Sequence, residues 1–218
     1  MTTRDVGNQL APFFRSHGFK RKSNRFFKII NNVAFCIELD RPGGLYVQSY
    51  IIPLYMPHDF RCFTYGERLQ EFKKCPVPDE HWLTERTECN EYVAKTIKCC
   101  EKYILPFYNR ISTPQGLLDF LDEDIKSIHE YFFTGPMQIL ELKVYTNFVL
   151  SRFDAVLEDI PKLFFEIDKC RGFIFENLLE EDKKRIKALA SMINATEEER
   201  LQFINDTIEH SISACKFK

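Results

Sequence analysis

The chain has 218 residues, 44% hydrophobic and 14% aromatic, with a formal net charge of −2. That apolar content excludes a disordered protein, and no apolar run approaches the roughly 18 residues that a membrane helix needs. The charge is uneven: residues 1–60 carry +4, residues 61–110 carry +1 and residues 111–218 carry −7, so a basic N-terminal part precedes an acidic C-terminal one.

The chain opens on a helix. Thr2 can cap it with Asp5 three residues on, and Val6, Leu10, Phe13, Phe14 and His17 recur at helical spacing until Gly18 supplies a stop. Residues 18–57 then run from the basic stretch GFKRKSNRFFKII through Asn31-Asn32 to VAFCIELDR, and through Pro42-Gly43-Gly44 to LYVQSYIIPLYMP. Alternating apolar segments joined by two very short turns predict a three-stranded antiparallel meander. In its second strand Val33, Phe35, Ile37 and Leu39 share one face, which the stripe from Val6 to Phe14 can cover. Pro53 ends the central pairing of the third.

Residues 57–88 are turn-rich, broken by Pro57, Pro76 and Pro78, and FTYGERLQEF reads as a strand end followed by a short helix. From Cys89 onward the pattern is helical. One stripe holds Val93, Ile97, Cys100, Ile104 and Phe107, with Pro106 kinking or ending the helix. Thr113-Pro114 starts the next helix, and Gly135-Pro136 breaks the chain before the regular stripe Ile139, Leu142, Tyr145, Val149 and Phe153. A further helix carries Phe175, Leu178, Leu179, Ile186, Leu189 and Ile193, and a capping box at Thr196 and Glu199 opens the last. The short break at 194–196 predicts that these two helices pair as a hairpin. The expected fold is α+β: an N-terminal helix packed on an antiparallel β-meander, followed by an all-helical C-terminal half, with an α+β domain over 1–110 and a helical region over 111–218.

Motifs that carry chemistry are scarce. No nucleophile elbow, Cys-x-x-Cys or Ser/Lys pair occurs, and the Gly43-Gly44 pair lacks the flanks of a phosphate-binding loop. The acidic clusters at 119–124, 180–182 and 197–199 read as solvated faces, the last two near helix starts where acids suit the dipole. The eight cysteines have no framework spacing, and the first residues lack a secretory pattern, so the expected compartment is the cytoplasm, with the thiols free.

Four candidate sets remain. His58, Cys62, Cys75 and His81 have gaps of a zinc finger with the ligand types permuted, so zinc is the one metal considered, and no cofactor is otherwise implied. Lys20, Arg21, Lys22, Arg25 and Lys28, interleaved with Phe19, Phe26 and Phe27, have the composition of a nucleic-acid surface. A pI near 6.2 argues against that use. An aromatic sheet behind the same basic residues offers Phe19, Tyr46, Tyr50 and Tyr55 as anchors for a protein partner. Ionisable His58, Asp59 and Glu67 in the irregular segment are the candidates if the protein is an enzyme.

Gly18-Phe19-Lys20-Arg21-Lys22, then Phe26-Phe27, a hairpin, and later Pro53-Leu54-Tyr55 with Gly66-Glu67-Arg68-Leu69, resemble an uncharacterised family of small bacterial domains over residues 1–110. The resemblance implies an N-terminal helix on an antiparallel sheet and an immunity-like protein that binds a partner toxin, with no catalytic residues to carry over. The leading expectation is a non-catalytic protein-binding module, with nucleic-acid binding second, an enzyme third, and no membrane partner.

Overall fold

A computed structural model describes residues 2–40, 45–59, 65–72, 86–132, 134–172 and 176–217. Helix α1 (Thr3–Ser16) begins at a full capping box, in which Thr2 Oγ1 accepts from the Asp5 amide and Asp5 returns a bond to the Thr2 amide. It ends in a Schellman motif. Gly18, at φ +81°, lets the Phe19 amide reach the Phe14 carbonyl while its own amide reaches Arg15, and the Phe14 and Phe19 rings close the end at 5.7 Å.

Five strands follow: β1 (Lys20–Lys22), β2 (Arg25–Ile30), β3 (Val33–Asp40), β4 (Tyr46–Pro53) and β5 (Tyr65–Arg68). They form one antiparallel sheet in sequence order, two strands larger than the expected meander. The basic run is itself the first strand, folded back on β2 through Ser23-Asn24, with Ser23 at φ 57°. Asn31 and Asn32 make the expected two-residue turn, both at positive φ, and set the register Ile30 opposite Val33. The turn expected at Pro42-Gly43-Gly44 lies outside the described residues.

The apolar face of β3 is covered as its pattern requires. Phe26, the cross-strand partner of Ile37, stacks on Phe14 of α1 at 4.6 Å, and the ring of Tyr108 lies 4.9 Å from Phe35. The opposite face is buried too. Every residue of β3 except Asp40, and every residue of β4 except Tyr46, is inside.

Helix α2 (Arg86–Cys99) runs into a π-helical stretch, Cys100–Ile104, and on into α3 (Leu105–Arg110). Pro106 therefore neither ends nor breaks the path. A proline has no amide to give and its ring crowds the preceding turn, and the wide turn, closed by Leu105 N–H to the Cys100 carbonyl, accommodates it. The later helices are α4 (Pro114–Leu121), α5 (Ile125–His129), α6 (Pro136–Val149), α7 (Phe153–Lys169), α8 (Glu176–Ser191) and α9 (Glu197–Ala214). Thr196 and Glu199 form the predicted box. The stripe from Ile139 to Phe153 is divided between two helices, because Ser151 at φ 56° ends α6 in a second Schellman turn.

The backbone divides into two compact units, one of Met1–Ile52, Phe63–Thr113 and Asp124–Phe133, the other of Pro53–Cys62, Pro114–Glu123 and Thr134–Lys218. In the second unit α6 packs with α7, α4 with α6, and α7 with α8. Asp59, from the segment that continues β4, accepts from Arg185 of α8 and faces His210 of α9, the two helices expected to pair as a hairpin.

Candidate functional site

Strand alternation dismantles the basic surface. Lys22 lies opposite Arg25 and Arg25 opposite Glu38, so Lys20, Lys22 and Arg25 share one face, while Arg21 and Lys28 point to the other. Arg21 packs under α1, donating to Asn8 Oδ1 at 2.8 Å and to the Ser23 carbonyl at 2.9 Å. Lys28 donates to the His17 carbonyl at 3.3 Å at the end of the same helix. Arg25 is 2% exposed, with its guanidinium 5.6 Å from the Phe27 ring centroid. Of the five basic residues, Lys20 and Lys22 are exposed, Arg21 and Lys28 half-buried and Arg25 buried.

The expected aromatic anchors are also inside. Phe19, Tyr50 and Tyr55 are buried, and Tyr46 is half-buried beneath the Arg68 guanidinium, 4.6 Å away. Tyr50 donates to Glu38 Oε2 at 2.6 Å, and Tyr55 meets Thr146 Oγ1 at 3.0 Å. Burial pushes both phenols well above their ordinary range; beside Tyr50, Cys36 and the Glu38 carboxylate add to the effect. Their hydroxyls satisfy polar atoms of the core, which is the usual way a tyrosine is tolerated there.

What the sheet face beyond α1 does hold is a polar seam. Arg25 and Glu38 are each 2% exposed, and Gln48 donates its amide nitrogen to Asp40 Oδ2 at 3.3 Å. The seam ends in a cleft of about 370 Å³ against the paired strands β4 and β5, lined by Gln48, Tyr50, Gly66, Glu67, Arg68 and Glu71. Gly66 sits opposite Tyr50, where an added Cβ would stand 2.3 Å from the tyrosine Cβ and 2.4 Å from the Ser49 carbonyl oxygen. Only glycine permits that approach. Glu67 Oε1 accepts from the Arg68 amide at 2.8 Å. Burial, helped by the Glu71 charge, nonetheless pushes the Glu67 carboxyl above its ordinary range. The Arg68 guanidinium lies 3.9 Å from Glu71 Oε1.

His58 and Asp59 belong to the second unit and Glu67 to the first. His58 Nε2 bonds the Pro53 carbonyl at 3.0 Å and its amide donates to Ser211 Oγ at 3.3 Å, while Ser211 donates to the Met56 carbonyl at 2.8 Å. Burial holds the His58 imidazole below its ordinary pKa, with the Pro53 carbonyl working against it. Asp59 binds Arg185, and His210 Nε2 stands 3.4 Å from its other oxygen. Burial alone would raise the Asp59 carboxyl; these two partners bring it below its usual value. The group is a clamp that ties the 53–59 segment to α8 and α9, and its acids and bases satisfy one another. Of the zinc-like set, Cys62, Cys75 and His81 lie outside the described residues. Among the described residues no cluster of three metal-ligating side chains occurs.

Two features of the cleft escaped the sequence reading although the chain carried a signal for each. Gly66 is an isolated glycine within a strand, the mark of close backbone approach, and Gln48 is a polar residue in an otherwise largely apolar central strand. The apolar surface of α7 gave no such signal, because the helix itself was not separated from α6. There Leu157, Pro161 and Phe165, spaced at i, i+4 and i+8, face solvent, with Leu157 55% and Phe165 63% exposed. No family model matches the chain, and no curated protein or solved structure matches it either.

Proposed function

We infer that the protein is a binding module for another protein, acting in the cytoplasm, and that it meets its partner through the helical unit and not through the sheet. The observation that carries this reading is the placement of large apolar side chains. Four of the six exposed ones among the described residues, Leu157, Phe165, Leu178 and Leu201, stand on α7, α8 and α9. Scattered single apolar residues are ordinary on a surface, but a leucine, a proline and a phenylalanine aligned along one helix are a stripe. Helix-borne leucine and phenylalanine flanked by charged pairs, such as Lys162 with Glu158 and Asp159, make the apolar centre and polar rim of a protein interface. The eight cysteines have no framework spacing, which suits a reducing compartment; no helix among the described residues is long and apolar enough to cross a membrane. An immunity-like role, with a toxin as the partner, is the form of this reading that the resemblance of residues 1–110 adds.

The test compares the native chain with Leu157→Asp/Phe165→Asp in affinity capture from the lysate of its own source, after circular dichroism has shown equal folding. A partner retained by the native chain and lost by the variant supports the reading. Identical captured sets from both overturn it.

A further inference from the structure

We propose that the flank of α1 that carries Arg4 and Arg15, with Arg21 of β1 beneath it, docks an acidic segment of a partner protein. This surface belongs to the sheet unit and rests on none of the observations made on α7.

Arg4, Asn8 and Arg15 fall within about 40° of one another around the axis of α1, and the two arginines stand roughly 16 Å apart along it. All three side chains are exposed. Arg21 reaches the same flank from the edge strand of the sheet. Its Nη1 donates to Asn8 Oδ1, its Nε to the Ser23 carbonyl, and its guanidinium lies 5.5 Å from the buried Phe26 ring. Gly7 leaves room for it, because a Cβ there would stand 2.5 Å from Arg21 Nη2. The fork is held by an amide oxygen, a carbonyl and a ring, none of which neutralises its charge.

No carboxylate on the flank does so either. Among the described residues Arg4, Arg15 and Arg21 form no ion pair. The first 28 residues hold seven Lys or Arg and a single acid. That acid, Asp5, lies about 100° round the helix from Arg4 and is bound by the Thr2 amide and hydroxyl. Burial, and then the charges of Arg15 and Arg4, hold the Arg21 guanidinium below its ordinary pKa, and an anion beside it would offset all three.

The surroundings select the kind of anion. Guanidinium forks suit carboxylate and phosphate alike. Nucleic acid would call for exposed rings to stack on or a broad positive field. The rings packed beneath α1, those of Phe14, Phe19 and Phe26, are buried, and the whole chain carries −2. A short acidic segment needs neither, since a row of three guanidiniums is complement enough.

Isothermal titration calorimetry on the full chain at about 50 mM salt tests this with two probes, octa-glutamate and an oligothymidylate of equal length. Octa-glutamate reaches about 26 Å when extended, enough to span the flank. It is expected to bind with Kd of about 100 μM or tighter, and the oligothymidylate about tenfold more weakly or not at all. Arg4→Gln/Arg15→Gln changes two exposed side chains and should weaken octa-glutamate about fivefold or more, with the circular dichroism spectrum unchanged. Arg21→Lys keeps the charge but not the fork and should weaken it about threefold. Lys20→Gln/Lys22→Gln removes as much charge from the opposite face of β1 and should change the affinity by less than about twofold. The proposal is overturned if octa-glutamate does not bind up to about 2 mM. It is overturned equally if the oligothymidylate binds as tightly, or if the lysine pair matters as much as the arginine pair.

Discussion

The sheet unit and the helical unit spend their apolar residues differently. In the first, β3 and β4 are buried on both faces, and even charged Arg25 and Glu38 are inside. In the second, α7 buries Val156, Leu163 and Ile167 on one side and keeps a leucine and a phenylalanine in solvent. A central strand must satisfy two buried surfaces at once, so aromatic density there reports core volume and not a surface for recognition. A surface helix has one face to bury, so apolar residues beyond that face need another explanation.

Four measurements can break or sharpen this contrast. The largest effect is expected from truncating matched phenylalanines. Phe26→Ala, in the stack with Phe14, should cost about 3–5 kcal/mol in urea unfolding, whereas Phe165→Ala should change stability by less than about 0.5 kcal/mol. Equal losses would show that the α7 stripe is covered in solution. Gly66→Ala should cost about 3 kcal/mol, since the new methyl meets backbone atoms that cannot turn aside, and the same unfolding curves read it out. Tyr50→Phe removes a hydroxyl that donates to Glu38 and should cost about 1–3 kcal/mol, because a buried carboxylate loses a donor.

The smallest expected effect is a pH dependence in the helical unit. His58 has a folded pKa below its ordinary 6.5, so the unfolded chain takes up its proton first. Its contribution is present above that value and is lost as pH falls through the folded pKa. Thermal midpoints should therefore decline on the acid side of pH 6.5, and His58→Gln should flatten that decline. Asp59, held below its ordinary 3.8, acts in a lower window. Its contribution is complete above 3.8 and disappears as pH falls through its folded pKa, and Asp59→Asn should remove that acid limb. A native midpoint that is flat between about pH 7 and pH 5 would show that the imidazole is solvated.

Much of the fold was legible because its signals are local. The Thr2 and Thr196 boxes, the Asn31-Asn32 turn and the starts at Pro114 and Pro136 all act within four residues of the atoms they satisfy. What escaped was set by neighbours distant in sequence. The KRK strand has no apolar alternation and exists because β2 offers it a ladder. The break at Ser151 puts a serine in the left-handed region with neither glycine nor proline to announce it. Pro106 continues through a helix because a wider turn absorbs it. The candidate site was the least legible part. Gln48, Gly66, Arg68 and Glu71 converge only once β4 and β5 are paired, and no spacing along the chain expresses that pairing.

The interleaving of the two units has a consequence for how the protein is made. Tyr131, which stacks on Phe107 at 3.9 Å, and Phe132, which is 1% exposed, complete the sheet unit. Neither exists on the growing chain until about the whole of β1 to α5 has been synthesised. Residues 53–59 meet Thr146, Arg185 and Ser211 later still, once α6, α8 and α9 have been synthesised. During that interval the strands are formed from sequence that has been translated, while their closing side chains have not. At typical translation rates of about 5–20 residues per second, the sheet unit waits several seconds between the end of β5 and the arrival of Phe132. A chaperone that shields Tyr65 and Phe107 for that time would protect the surface most exposed to misassembly, because these are the rings that Phe132 later covers.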